Sequence, residues 1–197
     1  MPTDEQIKEL HKKHAKTEAD FNLIYNHCRV IEAIAMQLLD AKPVEDINRD
    51  LVHVGCMLHD IGAYEVLING EWVQGVRHGV IGETILKDEG FPESIWRIAS
   101  HHTGVGLTAQ DVIDQKLPIP PADYTASSDE EFLIMYADKF HSKGIPRPYF
   151  CTFEQYRQTI SSINPDKAIE FDALAERFGK PDITALAGRF EYDIRDI

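Results

Sequence analysis

Apolar residues recur at helical spacing along nearly the whole chain, and several of these stripes carry a group that a protein interior resists. His27 lies on a stripe with Leu23, Ile24, Val30, Ile31 and Ile34. The run Val52, Gly55, Cys56 ends in His59-Asp60-Ile61-Gly62. His78 heads Ile81, Gly82 and Ile85, His102 follows Ile95, Ile98 and Ala99, and Asp138 follows Ile134 and Met135. Any one of these alone reads as a core histidine with a backbone partner or as half of an ion pair. An unpaired polar group is costly to bury, and one small core cannot easily satisfy so many of them separately. A shared metal centre satisfies them together.

The helical reading runs almost end to end. Thr3 with Gln6 forms a capping box for a short first helix, and Thr17 with Asp20 caps a long one reaching about Ala41, where Pro43 blocks continuation. A helix from about Asp46 to Asp60 stops at Gly62, read as a C-terminal glycine. Residues 65–74, with Asn69-Gly70 between apolar runs, fit a small hairpin or a loop, and the loop is preferred. Helices follow near 78–89, 92–102 and 108–115, then a proline-rich loop at 117–125. Ser128 with Glu131 caps the helix that carries Asp138, and Gly144-Ile-Pro-Arg-Pro ends it. The tail from Thr152 gives two or three more helices, broken at Asn164-Pro165 and Gly179-Lys180-Pro181, with no metal-type cluster.

The formal charge of −13 argues against electrostatic binding to nucleic acid or to an anionic membrane. It leaves an anionic substrate open, because a metal and a few local cations can dominate the field of one pocket. Cys28, Cys56 and Cys151 are an odd, scattered set that suggests a reducing compartment. The charged N-terminus lacks the apolar run of a signal peptide, and no stretch approaches a membrane span. The expectation is a cytoplasmic protein.

The donor set is two carboxylates and four or five imidazoles, with no thiolate. It suits Fe, Mn, Co, Ni or Zn, and Mg less well. It exceeds what a closed structural zinc site needs. Asp60 can bridge two ions, one taking His27, His59 and Asp138, the other His78 and one or both of His101 and His102. Two ions about 3.5–4 Å apart form the usual clamp for in-line attack at phosphorus. No Gly-rich phosphate loop or nucleophile elbow supports another mechanism. On a helix ending near residue 102, His102 shares the face of Ile95, Ile98 and Ala99, while His101 is rotated from it by roughly 100°. His102 is therefore the firmer expected ligand.

The order His27, His59-Asp60, His78, His101-His102, Asp138 resembles the HD superfamily of metal-dependent phosphohydrolases over about residues 17–143. The phrases HDIG, HHTGVGLT and YADK look like its small stand-alone members. The resemblance implies an all-α HD-domain helical bundle, one domain over 1–197 with the helices of 152–190 packing on its core. It implies primary ligands His27, His59, Asp60 and Asp138, and second-metal histidines His78 and His102, with His101 a further candidate. The activity implied is hydrolysis of a phosphate ester or phosphoanhydride of a nucleotide or other small phosphorylated metabolite by a metal-bound hydroxide. Ala63 and Tyr64 stand where alarmone hydrolases usually carry Glu-Asp. Ala63 also stands where the di-iron oxygenase branch often has Lys, and Gly104-Val-Gly-Leu replaces the Gly-Tyr-Pro of the cyclic-dinucleotide branch. HHTG is reminiscent of the diadenosine tetraphosphate branch. These departures leave the substrate open. The alternatives are an oxygenase on the same ligands, which ligand identity alone leaves open and the missing Lys at position 63 disfavours, and a non-catalytic nucleotide-binding domain, against which the intact ligand set argues.

Asp60, His59 and Lys139 are the expected catalytic residues, and Arg77, Lys139 and His101 the expected substrate contacts, since a cation beside the site can clamp a phosphate. His11, His14, His53 and His141 are read as non-ligands, with His141, one turn past Asp138, nearest to an exception.

Overall fold

Side-chain caps start most of the helices. Thr3 and Gln6 exchange bonds in a capping box that opens α1 (Asp4–His14). Thr17 accepts the Asp20 amide and opens α2 (Glu18–Ala41). Asn48 accepts from Leu51 and opens α3 (Arg49–Leu58). The start of α3 is later than the apolar period suggests, because Asp46 takes a left-handed φ of 60° and Asn48 supplies the cap. The computed structural model, which describes residues 1–195, continues with α4 (Ala63–Val66), α5 (His78–Asp88), α6 (Glu93–His101), α7 (Ala109–Asp114) and α8 (Asp129–Ala137). After α8 come α9 (Phe153–Ile163), α10 (Pro165–Phe178) and α11 (Ile183–Phe190). The fold is an all-α bundle with a few two-residue strands. Among the described residues no helix is long and apolar enough to cross a membrane.

Two expectations are corrected. Residues 65–74 are not a plain loop: β1 (Leu67–Ile68) and β2 (Glu71–Trp72) pair antiparallel across Asn69 and Gly70. Both turn residues have positive φ, 52° and 78°, the type I′ signature that Asn-Gly favours. Gly62 is not a left-handed helix stop either; its φ is −76°. A Cβ there would lie 2.1 Å from the His78 carbonyl oxygen and 2.4 Å from the Gly82 nitrogen. Only a glycine lets the turn after α3 lie against the start of α5. A second sheet orders β3 (His141–Ser142), β4 (Tyr149–Phe150) and β5 (Asp193–Ile194), antiparallel then parallel.

The buried residues form two apolar clusters that meet along α2, α3 and α6. One gathers Ile31, Leu38, Leu133, Tyr136, Phe140 and Phe171, joining α2 and α8 to α10. The other gathers Ile7, Ile24, Leu58, Ile61, Tyr64 and Ala99 around α1 and the N-terminal half of α2. His27 lies where α2 passes from the second cluster to the first.

Candidate metal centre

Every donor except His27 stands at or just past a helix end. His59 and Asp60 follow α3, His78 begins α5, His102 ends α6 and Asp138 ends α8. His27 projects from the middle of α2. His27, His59, Asp60 and His102 are buried to within 2%.

Backbone carbonyls aim three of the rings. His59 Nδ1 donates to the Cys56 carbonyl at 2.7 Å, His78 Nδ1 to the Gly75 carbonyl at 2.5 Å and His102 Nδ1 to the Ile98 carbonyl at 3.2 Å. A carbonyl only accepts, so each ring carries a proton on Nδ1, and where burial keeps the ring neutral, as at His78 and His102, it presents a lone pair at Nε2. Those Nε2 atoms converge. His78 Nε2 lies 2.9 Å from His102 Nε2 and 3.2 Å from Asp60 Oδ1, and His102 Nε2 lies 3.6 Å from the same oxygen. Two lone pairs facing each other beside a carboxylate cannot hydrogen-bond; they call for a Lewis acid. Asp60 Oδ1 is fully buried and has no hydrogen-bond partner.

The other carboxylate oxygen serves a second cluster. His27 Nε2 lies 3.0 Å from Asp138 Oδ1, 3.3 Å from Asp60 Oδ2 and 3.3 Å from His59 Nε2. His59 Nε2 is 3.5 Å from both Asp60 Oδ2 and Asp138 Oδ1. Single donor atoms of His27, His59 and Asp138, and of His59, Asp60 and His102, lie within 4.8 Å of one another. The nitrogen and oxygen donors, the converging lone pairs and the orphaned oxygen fit a pair of divalent ions sharing Asp60.

Electrostatics favours the ligand forms of every donor but His59. Burial, helped by Lys143, lowers the His27 pKa to about 4, burial lowers His78 to about 4, and burial also lowers His102 below its ordinary value, so these rings stay neutral. Burial pushes the carboxyls up, but Lys143 and His59 outweigh it at Asp60, and Lys139 and His27 outweigh it at Asp138. Both stay well below the usual carboxylate range. At His59 burial is outweighed by Asp60, which raises the imidazole well above its ordinary value. Among the protein's own groups, the positive charge facing the two carboxylates thus comes from His59 and the lysines.

His101 stands outside the cluster. The turn of α6 carries its Nδ1 to Ser100 Oγ at 2.6 Å and the Arg97 carbonyl at 2.9 Å, and its ring packs edge-on against Tyr124. Arg77 is exposed and donates to Gln74 Oε1 at 3.1 Å, away from the donors. Lys139 is buried and already engaged, donating to Asp138 Oδ2 at 2.7 Å and to the His102 carbonyl at 3.0 Å. It is placed to hold Asp138, not to present a free ammonium.

One residue escaped the sequence reading, and another was read only as a non-ligand. Lys143 donates to Asp60 Oδ2 and lies 3.3 Å from His27 Nε2. His141, 4% exposed, sets its Nδ1 2.9 Å from His27 Nδ1. With His27 Nε2 kept as a lone pair, the His27 proton sits on Nδ1 and points at His141, whose own proton is then on Nε2, a buried atom without a partner. His141 had a signal in its spacing from Asp138; Lys143, beyond a helix end, had none. Both line a cleft of about 450 Å³ with Trp72, Asp138, Lys139 and Tyr149.

The sequence profile of the HD domain matches residues 24–143. The chain belongs to the HD-domain family. The matched span holds every donor described above. A 127-residue stretch of this HD-domain chain is 33% identical to a tRNA (cytidine(56)-2'-O)-methyltransferase of Picrophilus torridus, covering 64% of this chain and 34% of that one. A 117-residue stretch is 33% identical to protein MJ0778 of Methanocaldococcus jannaschii, covering 58% of this chain and 64% of that one. The chain thus spans under two thirds of the length of these curated relatives. Its fold is similar to the HD domain of the L. monocytogenes phosphodiesterase PgpH, with TM-score 0.56, 20% identity, and coverage of 93% of this chain and 98% of that one. The same HD domain in complex with cyclic-di-AMP matches with TM-score 0.55, 19% identity, and coverage of 96% and 99%.

Proposed function

We propose that this HD-domain protein is a metal-dependent phosphohydrolase that cleaves a phosphate ester or phosphoanhydride of a nucleotide or another small phosphorylated metabolite. The observation that carries the reading is Asp60, whose two buried oxygens each face a separate group of imidazole Nε2 atoms. One ion would be held by His27, His59, Asp60 and Asp138, the other by Asp60, His78 and His102. When bound, such a pair supplies an activated water and charge stabilisation at phosphorus.

The chain's own residues do the positioning. The Cys56, Gly75 and Ile98 carbonyls fix three rings so that they need not reorganise as charge develops. Lys139 holds Asp138 and ties it to the backbone of His102, linking the two clusters. The cleft beside Asp138 has aromatic walls in Trp72, Tyr149 and Tyr156 and a cationic floor in Lys139 and Lys143, which suits a flat base joined to a phosphate. The cyclic-di-AMP complex of the PgpH HD domain adds support for a nucleotide ligand.

The test is metal analysis of protein purified without chelator, followed by a phosphate-release screen over nucleotides, dinucleotides and sugar phosphates with Mn, Fe or Co supplied. The expected outcome is bound transition metal and release from at least one ester class, with solvent ¹⁸O entering at phosphorus. Oxygen consumption coupled to product formation, without phosphate release, would overturn the hydrolytic reading in favour of an oxygenase.

A further inference from the structure

Lys143 makes a contact that the two-ion arrangement cannot keep. Its ammonium donates to Asp60 Oδ2 and lies 3.3 Å from His27 Nε2, two of the four donor atoms of the first cluster. A cation on those donors and the Lys143 ammonium would stand in nearly the same place, and like charges that close repel strongly in a buried site. The lysine has somewhere to go. Its side chain is 18% exposed, and it lines the cleft of about 450 Å³ next to Asp138. Its stem is long and flexible, with donors that can re-aim.

The backbone beneath it is held. Trp72 Nε1 donates to the Lys143 carbonyl at 3.2 Å, and a Cβ on the following Gly144 would lie 2.5 Å from the Tyr149 ring. Motion therefore belongs to the side chain, not to the segment. The other lysine of the cleft, Lys139, is tied to Asp138 and the His102 carbonyl.

We propose that Lys143 competes with the first-cluster ion for Asp60 and His27 and, once displaced, turns its ammonium into the cleft to hold the phosphate of the substrate. Lys143 thus guards the shared carboxylate and supplies the substrate clamp that Lys139 and Arg77 do not. The clamp half rests on the phosphohydrolase reading; the competition half does not.

The test uses the full chain as wild type, Lys143→Met and Lys143→Arg. Each is titrated by calorimetry with manganese alone, and the manganese-loaded proteins are then titrated with inorganic phosphate. A site blocked nine-tenths of the time binds about tenfold more weakly than its intrinsic affinity, so Lys143→Met should bind manganese about tenfold more tightly. The same variant should bind phosphate at least about tenfold more weakly, the loss of one charge-assisted contact, while Lys143→Arg keeps phosphate binding within a few-fold. Unchanged or weaker manganese binding in Lys143→Met overturns the proposal. So does phosphate binding that survives intact in Lys143→Met, or that is lost equally in Lys143→Arg. If the wild type binds both probes as described yet hydrolyses no ester, the hydrolase reading fails and the competition half of the proposal stands without it.

Discussion

The two donor clusters around Asp60 are built differently. The first, His27, His59 and Asp138, is ringed by other side chains: Lys139 on Asp138, Lys143 on Asp60 and His141 behind His27. Both rings of the second, His78 and His102, are aimed by main-chain carbonyls, against His59 alone in the first, and the His78 side chain is 17% exposed where those of His27 and His59 are fully buried. Substitutions of neighbouring side chains can therefore tune the first cluster, while the second responds mainly to how closely the backbone of α5 approaches. One site is adjusted by chemistry and the other by packing.

The largest effect should erase the contrast. Asp60→Ala removes the shared oxygens, so metal analysis should find neither ion, and turnover should fall by about a thousandfold or more. Full metal occupancy in that variant breaks the shared-carboxylate arrangement. Next in size, His102→Ala and Asp138→Ala should each lower the metal content by about one equivalent, from opposite clusters, since each removes a first-row donor. His101→Ala should leave metal content unchanged; if it loses an ion while His102→Ala keeps both, the pair has been assigned the wrong way round.

Two subtler variants sharpen the contrast. Gly62→Ala should push α5 outward, lower the second ion's affinity with the first intact, and cost about 1–3 kcal/mol in denaturant unfolding, as overpacking does. His141→Leu should do the reverse, weakening the first ion by about 10- to 100-fold, with His141→Asn restoring much of it through an accepting Oδ1. Equal losses from both clusters in either variant would erase the distinction. The smallest effect is a control outside both clusters. Burial lowers the His11 pKa from 6.5 to about 4, with its ring between Tyr64 and the Met57 carbonyl. The unfolded chain takes up that proton near pH 6.5 and the folded one near 4, so stability falls as pH drops through this window. Thermal unfolding of His11→Phe should show a shallower decline between those values than the wild type.

The part of the centre that was legible in the sequence is the part written in helical period. His27, His59, Asp60, His78, His102 and Asp138 each head, follow or interrupt an apolar stripe, and the structure brings all of them together. His101 was drawn in by adjacency, although 3.6 residues per turn already rotate it away. Cap residues placed the starts of α1, α2 and α8 well, because the Thr-x-x-Gln, Thr-x-x-Asp and Ser-x-x-Glu pairings are local chemistry. The hairpin at Asn69-Gly70 was underread because two-residue strands are too short to show alternation. Gly62 was misread for a deeper reason: its function is contact with His78 and Gly82, residues distant in sequence. Lys143 lay beyond the reach of pattern for the same reason, since nothing local says that its ammonium returns to Asp60.

The carbonyls of Cys56, Gly75 and Ile98 have one more consequence. A main-chain oxygen is present whatever amino acid is encoded at its position. Three of the rings are therefore steered by atoms that no codon change deletes, so long as the helix ends keep their course. The cleft walls at Trp72, Tyr149 and Tyr156 are side chains and carry no such protection. A chain of this design can drift from one substrate to another by changing its walls while the aim of those three rings is inherited intact.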